Sequence, residues 1–190
     1  KKGDRVGIYL PVIPEVIISI LACARIGAAH TVVFSAFSPA ALRVRLQDTE
    51  AKILITADGY FRRGQVINLK ENADEGIEDT NVQKVIVVKR AQNTIPWDSQ
   101  KNIWYEDLIK DKQDFCEPEA MDSEDTFFIL YTSGSTGKPK GCVHTCGGYA
   151  LQAKITGKWV FDLRKEDIFW CTSDPGWITG HTYTIYSPLL

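Results

Sequence analysis

Residues 131–141 bring three glycines, four aliphatic hydroxyls and two lysines together directly after an apolar run at 126–131. Glycine lets successive backbone N–H groups converge on one point, which makes an anion-binding concavity. The hydroxyls of Thr132, Ser133, Ser135 and Thr136 add rotatable donors, while Lys138 and Lys140 add charge without demanding a bidentate partner. This is chemistry for holding a polyphosphate. A plain surface turn would need far less of it. The loop is not a Walker A motif. Only Ser135 and Thr136 separate Gly134 from Gly137, and Pro139 follows Lys138. Pro139 biases Lys138 away from the helical region, so the loop is expected to join two strands rather than open a helix.

Other reactive residues read more plainly. Cys142, His144 and Cys146 alternate, so in a strand they share one face. No CxxC pair accompanies them, and core packing is the expectation over a metal site. His30 and His181 have no sequence-visible Ser or Cys partner, and residues 134–137 do not form a Gly-x-Ser-x-Gly elbow. Asp174 before Pro175-Gly176 fits an Asx-type turn at a strand end. Arg62-Arg63, on the residues alone, reads as a solvated face.

The elements that must position these residues alternate between strand and helix. Apolar runs at 7–10, 31–34 and 52–56 read as strands. Pro14 opens and Gly27 closes a segment apolar nearly all round, which predicts a deeply packed helix. Ser38-Pro39 caps a second helix through about Thr49. Residues 68–80 read as an exposed helix, 85–88 as a strand, and 104–109 as a short helix within a connecting layer over 91–122. Strands at 126–131 and 141–146, a helix at 148–161 and a strand at 168–172 complete the reading. Strand, helix, strand in succession predicts an α/β fold with a parallel sheet flanked by helices.

Composition limits what such a fold could serve. The 190 residues carry 22 Lys and Arg against 24 Asp and Glu, a net charge of −2. That balance argues against a non-specific nucleic-acid partner, which would need a basic excess. Hydrophobic residues are 44% and charged residues 24%, as in an ordinary globular domain that buries roughly 70% of its extended surface. No apolar run reaches the roughly 18 residues of a membrane span. Five scattered cysteines do not make a disulfide framework. With no secretory or transit segment in view, a cytoplasmic location is expected, an organellar one being the alternative. The first residue is Lys1 and the last stretch is apolar, so the chain is expected to be an internal piece of a longer protein.

The loop at 131–141 resembles the phosphate-binding signature of the adenylate-forming (AMP-binding) enzymes, which include acyl-CoA synthetases, luciferases and peptide-synthetase adenylation domains. Phe128 through Gly141, Val143-His144-Thr145, Gly147-Gly148-Tyr149 and residues 169–181 are similar to the acetyl-CoA synthetase family in particular. Residues 1–4 and 22–28 also fit, so the resemblance covers the whole chain. It implies residues 1–190 of a partial AMP-binding domain, lacking its carboxy-terminal portion and the carboxy-terminal domain. It implies an acetate–CoA ligase that makes acetyl-adenylate from acetate and ATP and passes the acetyl group to CoA, with this segment inactive alone. Mg²⁺ is implied too, with ligands outside this segment.

Residue by residue, the resemblance puts Thr132, Ser133, Gly134, Ser135, Thr136, Gly137, Lys138 and Gly141 on the ATP phosphates, with Thr132 and Lys140 catalytic. It puts Trp177, Ile178 and Thr179 on the acyl pocket and Thr179 also near CoA. Arg62 matches one of two CoA-contacting arginines. Gln65 stands at the second, with Arg63 the cation that would substitute. Two alternatives are a propionate-type acyl-CoA synthetase and a non-catalytic nucleotide-binding module.

Overall fold

The computed structural model describes residues 1–133 and 137–190. Residues 134–136 lie outside it, and with them the expected phosphate roles of Gly134, Ser135 and Thr136. In chain order the first half runs β1 (Arg5–Tyr9), α1 (Pro14–Arg25), β2 (Ala29–Val32), α2 (Pro39–Thr49) and β3 (Ile53–Ala57). A hairpin of β4 (Tyr60–Arg62) and β5 (Gln65–Ile67), then α3 (Leu69–Gly76), leads to β6 (Lys84–Val88), β7 (Asn102–Trp104) and α4 (Tyr105–Ile109). The second half holds β8 (Thr126–Thr132), β9 (Lys140–Thr145) and α5 (Cys146–Trp159). A final helical run comprises Ile178–Gly180, a π-helix over His181–Tyr186 and Ser187–Leu189.

Seven strands form one sheet in the order β7-β6-β3-β1-β2-β8-β9. Every neighbouring pair is parallel except β8 and β9. The expected parallel α/β architecture is present. Its central strands are buried on both faces: Ile8, Leu54, Val85 and Phe128 are all fully covered. Gly7 lies where a Cβ would press into Leu46 and Leu54, so α2 sits directly on β1. The Ser38 hydroxyl accepts from the Ala41 N–H, the expected cap of α2.

Several local expectations needed correction. Residues 168–172 form no strand, and Ile168 and Trp170 are exposed despite their apolar sequence. α1 is not buried all round: Val16, Ile20 and Cys23 face the sheet while Ile18 is exposed. α3 is shorter than expected and half-buried, with Leu69, Lys70 and Ala73 inside. The connecting layer contributes β7, an edge strand of the main sheet that its weak pattern concealed. Cys142 and His144 do share a face of β9, but Cys142 is exposed and Cys146 already begins α5. Core packing therefore holds only in part. Among the described residues no group of three or more His, Cys, Asp or Glu could hold a metal ion, and no helix is long and apolar enough to cross a membrane.

Candidate active site

The parallel strands all deliver their carboxyl ends to one edge of the sheet, the edge where open α/β sheets bind ligands. Thr132 and Ser133 leave β8 there, residues 33–37 leave β2, and Asp58 leaves β3. Thr132 pairs directly with Lys140, so β8 and β9 run antiparallel as the two arms of a hairpin. That is the strand-to-strand loop expected from Pro139. Gly137 has φ +81°, a left-handed conformation that side chains resist, and none of the described residues crowds its missing Cβ. A Cβ on Gly141 would instead meet Ile129 at 3.1 Å and the Tyr131 ring at 3.3 Å.

The base of this hairpin is braced. The Tyr131 phenol donates to Asp48 on α2 at 2.5 Å. Burial first, then Asp48, pushes the phenol's pKa above its usual range. The Arg45 guanidinium lies 4.7 Å over the Phe37 ring and 5.3 Å from that of Tyr131. Trp177 packs edge-on to Phe37 at 6.3 Å. Trp177, Ser133, Tyr131 and Arg45 thereby line one cavity of about 130 Å³. Sequence reasoning had no reason to single out Arg45 or Asp48, which α2 contributes from a distant part of the chain.

Ile178 and Thr179 sit elsewhere. They line a larger cavity of about 640 Å³ with Val143, His144, Tyr149 and Gln152, on β9 and α5. The expected acyl-pocket trio is thus divided between two cavities at the step from Trp177 to Ile178. Ile178 is 45% exposed, so it is not ordinary core. The turn before it is tied by the expected Asx geometry, the Gly176 N–H donating to the Asp174 carboxylate at 2.7 Å. Burial pushes that carboxyl's pKa up, opposed by the Gly176 bond.

Arg62 lines a third cavity, of about 370 Å³, with Phe34, Ser35, Tyr60, Asp174 and Arg90. Arg63 is not among its lining residues and occupies the β4–β5 turn with φ 51°. Sequence reasoning missed Arg90 as a second cation here. What brings it near is Asp58, which is fully buried and accepts N–H bonds from Gly59, Arg90, Ala91 and Gln92 at 2.6–2.8 Å. One carboxylate thus folds the loop after β6 over the end of β3.

His30 and His181, unrelated in sequence, meet with their Nε2 atoms 3.0 Å apart in the core. Phe128 stacks on His30, and Phe128, Tyr149 and Tyr186 all ring His181. Burial, with His181 beside it, holds the pKa of His30 well below the usual 6.5. Burial draws His181 down to about 4, the Pro175 carbonyl opposing and His144 adding to the fall. Both are neutral when folded and ordinary when unfolded. Their contribution to stability is therefore complete above about pH 6.5 and is lost as pH falls toward 4. Each histidine should cost about 1.4 kcal/mol per pH unit in that window. Denaturant unfolding from pH 7.5 to 5 checks this. His30→Gln should remove about half of the slope, and an equal slope in both proteins would show that the pair titrates normally.

The family profile described as AMP-binding enzyme matches residues 1–190. The chain is 53% identical over 190 residues to the acetyl-coenzyme A synthetase of Methanothrix thermoacetophila, covering 100% of this chain and 29% of that protein. It is 54% identical over 189 residues to the acetyl-coenzyme A synthetase of Saccharophagus degradans, covering 99% and 29%. Acetoacetyl-CoA synthetase from Streptomyces lividans superposes with a TM-score of 0.86 at 26% identity, over 97% of this chain and 29% of that one. The chain spans less than a third of the length of these relatives. With its parallel sheet, its glycine- and hydroxyl-rich hairpin and a profile match from end to end, the chain belongs to the AMP-binding enzyme family.

Proposed function

We propose that this chain supplies the phosphate-holding hairpin and part of the acid and CoA sites of an ATP-dependent acetate–CoA ligase. The observation that carries the reading is the meeting of Ser133 and Trp177 at one small cavity beside the hairpin. The names of the relatives at 53–54% identity support acetate as the acid. In the first step an acetate oxygen attacks the α-phosphorus of ATP, the bond to the β-phosphate oxygen breaks, and pyrophosphate leaves. In the second the CoA thiol attacks the acyl carbon, loses its proton to solvent, and AMP departs. A carboxylate is a poor acyl donor because oxide is a poor leaving group; AMP is a far better one. The protein's share is to neutralise phosphate charge, hold the carboxylate in line and keep water from the mixed anhydride. The backbone around Gly137 with Thr132, Ser133, Lys138 and Lys140 suits the first task.

Acetate-dependent exchange of pyrophosphate into ATP by the complete protein tests the first step, and its absence overturns the reading. Arg62→Ala tests the second. An arginine lost from a phosphate forfeits about 1.5–3 kcal/mol, so KM for CoA should rise at least about tenfold while exchange is spared. Equal loss of both activities would remove Arg62 from the CoA site.

A further inference from the structure

We propose that His181, held by His30, positions the turn that carries Trp177, and that the histidine pair thereby sets where the wall of the acid cavity stands. This deepens the ligase reading and rests on it. His181 Nδ1 lies 3.0 Å from the Pro175 carbonyl. A carbonyl can only accept, so Nδ1 carries the ring's proton and Nε2 is left as an acceptor. The facing His30 Nε2 must then donate. His30 Nδ1 becomes the bare nitrogen, and it is buried without a partner among the described residues. One direction of donation thus runs from β2 through two rings to the carbonyl two residues before Trp177.

The rest of the turn is held from the same side. The Thr184 hydroxyl donates to the Ser173 carbonyl at 3.2 Å. The Trp177 N–H donates to the Asp174 carbonyl at 3.0 Å. Gly180 has no Cβ, and one placed there would overlap the backbone of Ser173 and Asp174, so the turn lies directly on the helix start. His181 and Thr184 belong to the π-helix, a rare form that recurs at functional sites. His30 is anchored to the sheet in register with Phe128. The pair therefore links a rigid strand to a turn whose far side, through Trp177, faces Ser133.

Two amide variants separate the two ring nitrogens. Asparagine at 181 places its amide near Nδ1 and can keep the Pro175 bond. Glutamine places its amide near Nε2, can face His30, and releases Pro175. In the complete protein, His181→Asn should keep KM for acetate within about threefold of wild type, while His181→Gln should raise it about tenfold or more by displacing the wall. Hydrogen exchange of the 174–180 backbone should accelerate in His181→Gln and stay close to wild type in His181→Asn. If both variants lose activity and protection together, in step with their melting temperatures, His181 is structural and the proposal is overturned. A wild-type protein without acetate-dependent exchange would overturn the ligase reading, and hydrogen exchange would still decide whether His181 holds the turn.

Discussion

Lys140→Ala in the complete protein is expected to reduce acetate-dependent ATP–pyrophosphate exchange about 10²–10³-fold, the loss typical of removing one preorganised charge-stabilising group. Lys140 opens β9 opposite Thr132, at the base of the hairpin. It is exposed, and none of the ion pairs among the described residues occupies it. Its ammonium is therefore available to a phosphate. An exposed residue at a strand end contributes little to folding, so stability should change by no more than about 0.5 kcal/mol. Acetate binding should be nearly unaffected, because the charge answered is that of the transferring phosphate. Undiminished exchange with a normal melting temperature would remove Lys140 from the reaction. A Gly137→Val variant is a companion test, since φ +81° there strains any branched side chain.

Ile178→Ala should invert the preference among short acids. A single methyl group gives acetate little to be held by, and one methylene discriminates by only about 1–3 kcal/mol in an apolar pocket. Selection for the smallest acid must come from exclusion. Ile178 reaches the 640 Å³ cavity between β9, α5 and the π-helix, where Thr179 joins it. Shortening it should raise kcat/KM for propionate or butyrate relative to acetate by about tenfold or more. The structure sharpens this test. A buried isoleucine would cost about 2–5 kcal/mol on truncation and depress every acid alike. Ile178 is 45% exposed, so the melting temperature should fall only slightly. Parallel losses for acetate, propionate and butyrate would show that Ile178 forms no part of the acid's wall, which Trp177 would then provide without it.

Local patterns were legible where short-range chemistry decides them. Pro14 and the Ser38-Pro39 pair set helix starts because capping and a fixed φ act within one turn. Apolar runs in β1, β3 and β6 marked central strands because a parallel strand is buried on both faces. Pro139 after Lys138 excluded a helix and implied a loop between two strands, because the constraint on the preceding residue is steric and local. The Asx turn at Asp174 was legible for the same reason. Residues 168–172 misled because β-branched and aromatic content says nothing about whether a neighbouring strand is present to accept it.

What the sequence by itself determined, then, was the alternation of elements, the glycine, hydroxyl and lysine content of the loop that follows β8, and the family resemblance. Only the tertiary structure decided which distant residues share a site. Arg45 and Asp48 on α2 reach Tyr131, Arg90 joins Arg62, and His30 on β2 meets His181 on the π-helix because helices and loops distant in the chain dock against the same sheet. The division of Trp177 from Ile178 and Thr179 also belongs to that level. Neighbours in sequence face different cavities when the backbone between them turns from an extended residue into a helix, as it does at Trp177 with φ −114° and ψ 147°. Periodicity records which side of an element a residue occupies; what stands across from it depends on where another element docks.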